Sequence, residues 1–545
     1  MKQLILFLLL VSSLTLTWGQ QRQTITTEER IRILEEEIEK LRGEKAAKEY
    51  KSYQGFSPAA SGVYFVEEGL TWGGYGEIKY RNFKNPYRVD QSDVHRFVLY
   101  AGYKFNDWIL LNAEIEYVNS GFRNADNIAL GGTYTGTVSG NQASVNINRT
   151  TRIQEGNVFV EFAYIDFLFT ESFQVAAGLH LVPSGITNIL HEPTTFYTVE
   201  RPYTETFIIP STWRELGVMF HGKLLNDLVL YKVAVLNGLE GNQISESTWI
   251  NPARPRGSLA KTDHLAYVAY MDVFPIEGLT IGGSYYIGGA GQKDLEKVDV
   301  FSRLDFSKIP LPPEVNAAGA AAPIRTIASR VFEFSRKINP IVRIGEGHLR
   351  FEKDAWFFQA LMARGWIDEE GVRAINAKTN RNIGSTVEGA YGIIGFDIAS
   401  LFNGKYKTVI FYKNEYVNTQ KRTLRNNGQL FIETEIAKEL NNAAGIPDLF
   451  RLTNVTPSSV GFRNSISGAE VRTELEKYGI YGLPDPVNNR RIQTIGIAFY
   501  PHPNVSIKLD YEDWKATSHY YQDNDLLRPA NNNGDIINAA VTFIF

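Results

Sequence analysis

Residues 535–545, DIINAAVTFIF, alternate with a period of two. Phe545, Phe543, Val541, Ala539 and Ile537 point one way, and Ile544, Thr542, Ala540 and Asn538 the other. This is a strand with a wholly apolar face, and an aromatic residue closes it. A terminal strand of a soluble sheet reads the same way, so the preceding chain has to decide between a sandwich and a barrel.

Working back from that strand, sixteen alternating runs occupy the chain from about Thr71 onward. In the third, WILLNAEIEYV, the residues Ile109, Leu111, Ala113, Ile115 and Tyr117 oppose Asn112, Glu114 and Glu116. In the fifteenth, VSIKLDYEDW, the residues Val505, Ile507, Leu509 and Tyr511 oppose Ser506, Lys508, Asp510 and Glu512. Connections alternate between tight and long. The tight ones fall at Asn106-Asp107, Thr170-Glu171, Asn226-Asp227, Pro275–Gly278, Lys353-Asp354, Asn403-Gly404 and Pro501–Asn504. The long ones include a Gly/Asn/Ser/Thr-rich stretch before residue 157 and the segments 183–211 and 418–490. Strands of about ten residues, tight turns at one rim, long loops at the other and 12% aromatic residues describe an all-β, sixteen-stranded antiparallel transmembrane barrel. An even count places both termini on the tight-turn side, the periplasm of a bacterial outer membrane.

The N-terminus agrees. Lys2, the apolar run Leu4–Leu16 and the small-residue exit at Gly19 form a signal peptide over residues 1–19. A helical span needs about 20 apolar residues, more than this run supplies. Residues 20–69 read as a periplasmic coiled-coil segment and linker, and 70–545 as the barrel domain. The seam is Ile31, Leu34, Ile38 and Leu41, with Lys45 already at the next a position, so the helix is too short to associate alone. The chain contains no cysteine, which excludes disulfides, thiolate metal sites and a cysteine nucleophile. Its formal charge of −4 argues against a nucleic-acid partner. No cofactor or metal is expected.

A sixteen-stranded barrel leaves a lumen that wall side chains cannot fill. The segment 183–211, PSGITNILHEPTTFYTVERPYTETFIIPS, carries Phe196, Tyr197, Tyr203, Phe207, Ile208 and Ile209 and is stiffened by Pro183, Pro193, Pro202 and Pro210. So much apolar surface is expected to fold inward against the wall. Its charged residues are Arg201 and His191 against Glu192, Glu200 and Glu205. Strand alternation turns Lys79, Arg81, Arg96, Lys104, Lys232, Lys413 and Lys508 into the lumen, either facing the acidic loop or paired with Glu114, Glu116 and Glu161.

Several stretches carry a resemblance: GGYGEIKY (73–80), RFVLYAGYKFNDW (96–108), VFVEFAYIDF (158–167), GLHLVPSGITNILHEPTTFYTVERP (178–202), IIPSTWRELGV (208–218) and the terminal Phe545. Together these resemble the porin O and P family, the phosphate-selective porins, over most of the mature chain and most strongly from Thr71 to Leu239. The resemblance implies a homotrimeric outer-membrane porin: a water-filled channel for passive diffusion of small hydrophilic solutes or ions, anions among them. Here 183–211 is the constriction loop, and the coiled coil helps hold the trimer or contacts the cell envelope. It also implies that Phe545, Phe543 and Val541 are the signal read by the barrel assembly machinery. Phosphate-selective members use a lysine-lined constriction, and this loop has no lysine. A channel specific for phosphate or another oxyanion is therefore the alternative to general diffusion. An adhesin or structural barrel is a further reading, kept open by the 418–490 loop. An enzyme is not expected: the eight histidines are scattered, and neither a zinc-helix motif nor G-x-S-x-G occurs.

Overall fold

The computed structural model describes residues 51–84, 89–119, 129–138, 141–150, 157–295, 337–379, 381–424, 484–516 and 534–545. The expected signal peptide, the seam Ile31, Leu34, Ile38 and Leu41, and most of the 418–490 loop lie outside the described residues.

The first strands are β1 (Gly69–Phe83), β2 (Gln91–Asn106), β3 (Ile109–Val118), β4 (Ala129–Val138), β5 (Asn141–Thr150) and β6 (Asn157–Thr170). Next come β7 (Phe173–Leu181), β8 (Arg214–Leu224), β9 (Val229–Asn237), β10 (Leu265–Ile276), β11 (Leu279–Gly289) and β12 (Ile341–Lys353). The last six are β13 (Trp356–Ile367), β14 (Thr386–Asp397), β15 (Thr408–Arg422), β16 (Asn489–His502), β17 (Val505–Ala516) and β18 (Gly534–Ile544). Every barrel pairing is antiparallel between chain neighbours, except that β3 pairs with β6 and β1 with β18. Sixteen strands thus close a barrel, while β4 and β5 form a separate hairpin inside the stretch read as loop. Glycine and asparagine within that stretch mask its strand propensity.

All seven tight turns fall where the turn residues predict. Their chemistry is local. Asn106 Oδ1 accepts the amides of Trp108 and Ile109 at 3.0 and 2.9 Å, and Thr170 Oγ1 that of Phe173 at 2.9 Å. Asp354 and Asn403 adopt left-handed φ of 54° and 50°. Outside the same rim, Trp108, Phe169, Phe173 and Phe220 form a continuous stack with centroids 6.0 to 6.2 Å apart. Such an aromatic row suits a membrane interface.

The closing seam explains the first-strand glycines. Phe545 and Gly74 exchange both backbone hydrogen bonds, at 2.8 and 2.9 Å. The outward rings of Phe545 and Phe543 lie across Gly74 and Gly76: a Cβ there would stand 2.7 Å from the Phe545 ring and 2.3 Å from the Phe543 ring. Phe545 also stacks on Phe97 of β2, at 5.8 Å. Gly76→Val is expected to cost about 1–3 kcal/mol by overpacking the seam. At Gly392 a Cβ would meet nothing within 4 Å, so Gly392→Val is the silent control. Melting of the folded electrophoretic band checks both.

Candidate functional site

Among the described residues three segments enter the lumen, and each is gripped by inward side chains of the wall. The first is 183–211, leaving β7 and returning at β8. Ile186, Ile189, Phe196, Tyr197, Ile208 and Ile209 are all buried. Its near limb is tied to the neighbouring wall: Ser284 of β11 donates to Ser184 at 2.8 Å, and His191 Nε2 lies 3.3 Å from Glu114 of β3. Its far limb crosses to the opposite strands. Val199 N–H donates to Asp510 of β17 at 2.7 Å, Thr204 N–H to Glu415 of β15 at 2.6 Å, and the Tyr203 hydroxyl to Glu512 at 2.9 Å. Lys508, 1% exposed, donates through Nζ to the carbonyls of Pro193, Phe196 and Thr198 at 2.5, 2.5 and 3.1 Å.

Glu205 joins the two limbs. Its carboxylate accepts the amides of Ile186 and Thr187 at 2.5 and 2.7 Å, and the hydroxyls of Thr187 and Tyr391 at 2.7 Å each. Gly185, at φ +75°, is required here, since a Cβ would stand 2.4 Å from the Glu205 carboxylate. Arg201 donates to the His191 carbonyl at 2.8 Å. Glu200 faces Lys79 at 3.2 Å and Arg81 at 3.7 Å.

The second segment differs from expectation. The stretch read as periplasmic linker up to residue 69 packs inside the barrel from Lys51 onward, beneath loop 183–211 on the tight-turn side. Phe56 is buried against Tyr164 and His221, with Lys232 Nζ 3.9 Å above its ring. Tyr64 stacks on Tyr53 at 4.0 Å and donates to Asp166 at 2.8 Å. The amides of Ala59 and Ala60 donate to the Glu192 carboxylate at 3.1 and 3.0 Å, and Ser57 Oγ to the Ile189 carbonyl at 2.9 Å. Asn112 of β3 holds the Ala60 carbonyl at 2.9 Å, and Lys104 that of Val66 at 2.8 Å. The small residues Ala59, Ala60 and Ser61 let the strap lie this close to loop and wall.

The third segment, 238–264, was not singled out in the sequence. Trp249 is fully buried over Gly365 of β13, where a Cβ would stand 2.2 Å from the indole. Asn251 donates to the Thr206 carbonyl at 3.0 Å and Thr419 to that of Glu246 at 2.8 Å. This loop therefore braces 183–211 against the β13–β15 wall. A buried chain adds to the support at the loop's first bend. His348 lies between Asp272 at 2.8 Å and Glu346 at 2.9 Å, and Glu346 accepts the Gly185 amide at 3.4 Å.

Each of the seven inward basic residues is engaged. Besides the contacts above, Lys79 meets Glu77 at 3.1 Å, and Arg96 meets Glu77 at 3.1 Å and Glu116 at 3.7 Å. Lys413 meets Glu415 at 3.3 Å and Glu512 at 3.9 Å. Of the three carboxylates expected as partners, Glu116 pairs with Arg96 of the wall, Glu114 meets His191, and Glu161 meets Arg214 at 4.0 Å. Glu192→Ala would leave two buried amides without an acceptor, costing about 2–5 kcal/mol, while Glu192→Gln keeps one acceptor and costs about half as much. Thermal unfolding of the purified barrel reads the difference.

No family model matches the chain. An uncharacterized protein of Aquifex aeolicus (strain VF5) is 38% identical over 249 residues, 45% of this chain and 50% of that protein. The chain thus spans about half the length of the curated relative it matches. Among solved structures, OmpT of Vibrio cholerae is similar with a TM-score of 0.42 at 8% identity, over 88% of this chain and 99% of that one. The outer membrane channel DcaP of Acinetobacter baumannii gives 0.41 at 8% identity, over 88% and 98%. OprB of Pseudomonas putida gives 0.39 at 10% identity, over 88% and 94%. At these scores the likeness decides nothing about function, and the barrel rests on its own strand pairing.

Proposed function

We propose that the protein is an outer-membrane porin, a passive channel for small hydrophilic solutes and ions and not an enzyme. The observation that carries this is the closed sixteen-stranded barrel with charged inward rows and an apolar, aromatic-rimmed outside. A bore of this strand number is too wide for wall side chains alone to fill. Loop 183–211 forms the constriction, with Glu200, Arg201 and Arg81 at its charged edge and His191, Glu192 and Glu205 fixing its shape. Homotrimeric assembly, periplasmic termini, an envelope contact through the N-terminal coiled coil and recognition of Phe545, Phe543 and Val541 by the assembly machinery belong to the same reading.

Selectivity follows from the charge pairing. A phosphate-specific path needs unpaired cations along the bore. The seven basic wall residues named from the sequence are engaged by carboxylates, carbonyls or an aromatic ring, as Arg350 is by Glu352 and Arg490 by the Ser247 carbonyl, which favours general diffusion over oxyanion specificity. The test is the reversal potential of the reconstituted protein under a KCl gradient, followed by phosphate titration. Weak ion selectivity without phosphate block is expected; strong anion selectivity with block at low phosphate would make it an oxyanion channel.

A further inference from the structure

On the outside of β12 and β13, toward the long-loop rim, two arginines stand over a strip of glycine. Alternation turns Arg343, Gly345 and Gly347 of β12 outward, together with Met362, Arg364 and Trp366 of β13. The register sets Arg343 beside Trp366, Gly345 beside Arg364 and Gly347 beside Met362. The arginines are thus diagonal neighbours about 7 Å apart, a spacing that two guanidinium groups bridge through the oxygens of one phosphate.

Nearby carboxylates are already engaged. Glu388, opposite Arg364 in register, gives its carboxylate to Lys421 at 2.7 Å and accepts from Tyr416 at 3.3 Å. Glu369 holds Arg422 at 2.9 Å. Arg343 and Arg364 have no ion pair or hydrogen bond among the described residues. A hollow of about 430 Å³, lined in part by Arg364, Trp366, Thr386 and Arg422, opens beside them.

The glycines point to what lies below the phosphate. Neither Gly345 nor Gly347 has a positive φ. A Cβ on Gly345 would meet only the Tyr285 ring at 3.7 Å, and one on Gly347 only the Gly282 carbonyl oxygen at 4.0 Å. Glycine inside a strand weakens it, and one use of it where neither packing nor torsion demands it is to let a ligand come close; here two such glycines lie in line beside two unpaired arginines. The strip is bounded by two outward apolar side chains, Tyr285 at 42% and Met362 at 70% exposure.

We propose that this face binds one phosphate-bearing lipid of the surrounding leaflet. Its phosphate sits on Arg343 and Arg364, and an acyl chain lies along the glycine strip between Tyr285 and Met362. The occupant is a lipid because unpaired cations, an interfacial tryptophan and a smooth apolar trough stand in line on the outer wall. The proposal rests on the membrane reading above.

Native mass spectrometry of the full chain in neutral detergent tests it, with phosphatidic acid, diacylglycerol or inorganic phosphate added. One phosphatidic acid is retained per chain and diacylglycerol is not. The double variant R343Q/R364Q weakens retention by roughly 30-fold, from two cations at an anionic headgroup. Gly347→Leu, which fills the trough and leaves both arginines, also weakens it. Unchanged retention in both variants overturns the proposal. Displacement of the lipid by inorganic phosphate, with Gly347→Leu silent, makes this a free-phosphate site and overturns the lipid. Loss of self-association in R343Q/R364Q at unchanged lipid retention makes it a surface between copies. Variants that conduct normally but fail these arms sink the lipid site alone, whereas absence of conductance in the folded wild type sinks the membrane-channel reading.

Discussion

Replacing Lys508 with methionine is expected to unlatch the far limb of loop 183–211 and raise single-channel conductance. Among the described residues, Lys508 alone holds the carbonyls of Pro193, Phe196 and Thr198 together. Methionine preserves volume but donates nothing, and leaving three buried carbonyls without a donor costs about 3 kcal/mol or more. The strain falls on the limb that carries Glu200, so the constriction widens before the barrel itself melts. Lys508→Arg retains donors and is expected to keep conductance near the wild-type value. Conductance in planar bilayers, read beside the melting temperature of the folded band, checks both variants. Equal conductance in wild type and Lys508→Met would show that the loop does not set the bore.

The second large effect concerns the strap. Phe56→Ala with Tyr64→Ala removes the two rings that seat residues 51–68 in the lumen. Each truncation of a buried aromatic costs about 3–5 kcal/mol. Besides these rings the strap is held by hydrogen bonds to Ile189, Glu192, Asn112 and Lys104, while the sixteen-stranded sheet closes without it. The barrel is therefore expected to remain folded while conductance rises and larger neutral sugars enter. The chain has no cysteine, so cysteines at Ala60 and Asn112, where Asn112 Nδ2 now donates to the Ala60 carbonyl at 2.9 Å, report the strap when joined by a short bifunctional thiol reagent. Linkage holds the segment against β3, and the linked channel is expected to conduct like the wild type while the double alanine variant conducts more.

Much of the wall was legible before the structure. Period two survives along each strand because one face meets an apolar surround and the other a polar lumen, and this also places Lys79, Lys413 and Lys508 inward. Turn chemistry at Asn106, Thr170 and Asn403 is local and is read within a few residues. The fillings of the lumen were less legible. Loop 183–211 announced itself through concentrated aromatic and Ile residues. The strap has no period, and its partners lie far along the chain: Ala59 reaches Glu192, and Phe56 reaches Lys232. Trp249 looks unremarkable in sequence because the glycine that admits it, Gly365, sits in β13 and the carbonyl that its indole N–H reaches, that of Gly384, stands before β14. Inward direction is a property of one strand, whereas pairing depends on the height at which another segment crosses. For that reason the sequence leaves the wall lysines either facing the acidic loop or paired with carboxylates, while the structure finds them holding carboxylates, carbonyls and a ring.

The current through the purified, refolded wild-type protein in a planar bilayer, with its folded state verified by heat-modifiable electrophoresis, decides between a channel and a closed barrel. Discrete ohmic steps, enlarged by Phe56→Ala with Tyr64→Ala, are the predicted result. A correctly folded barrel that inserts without conducting, and still does not conduct once the strap is unseated, would contradict the channel and leave a structural or adhesive barrel in its place.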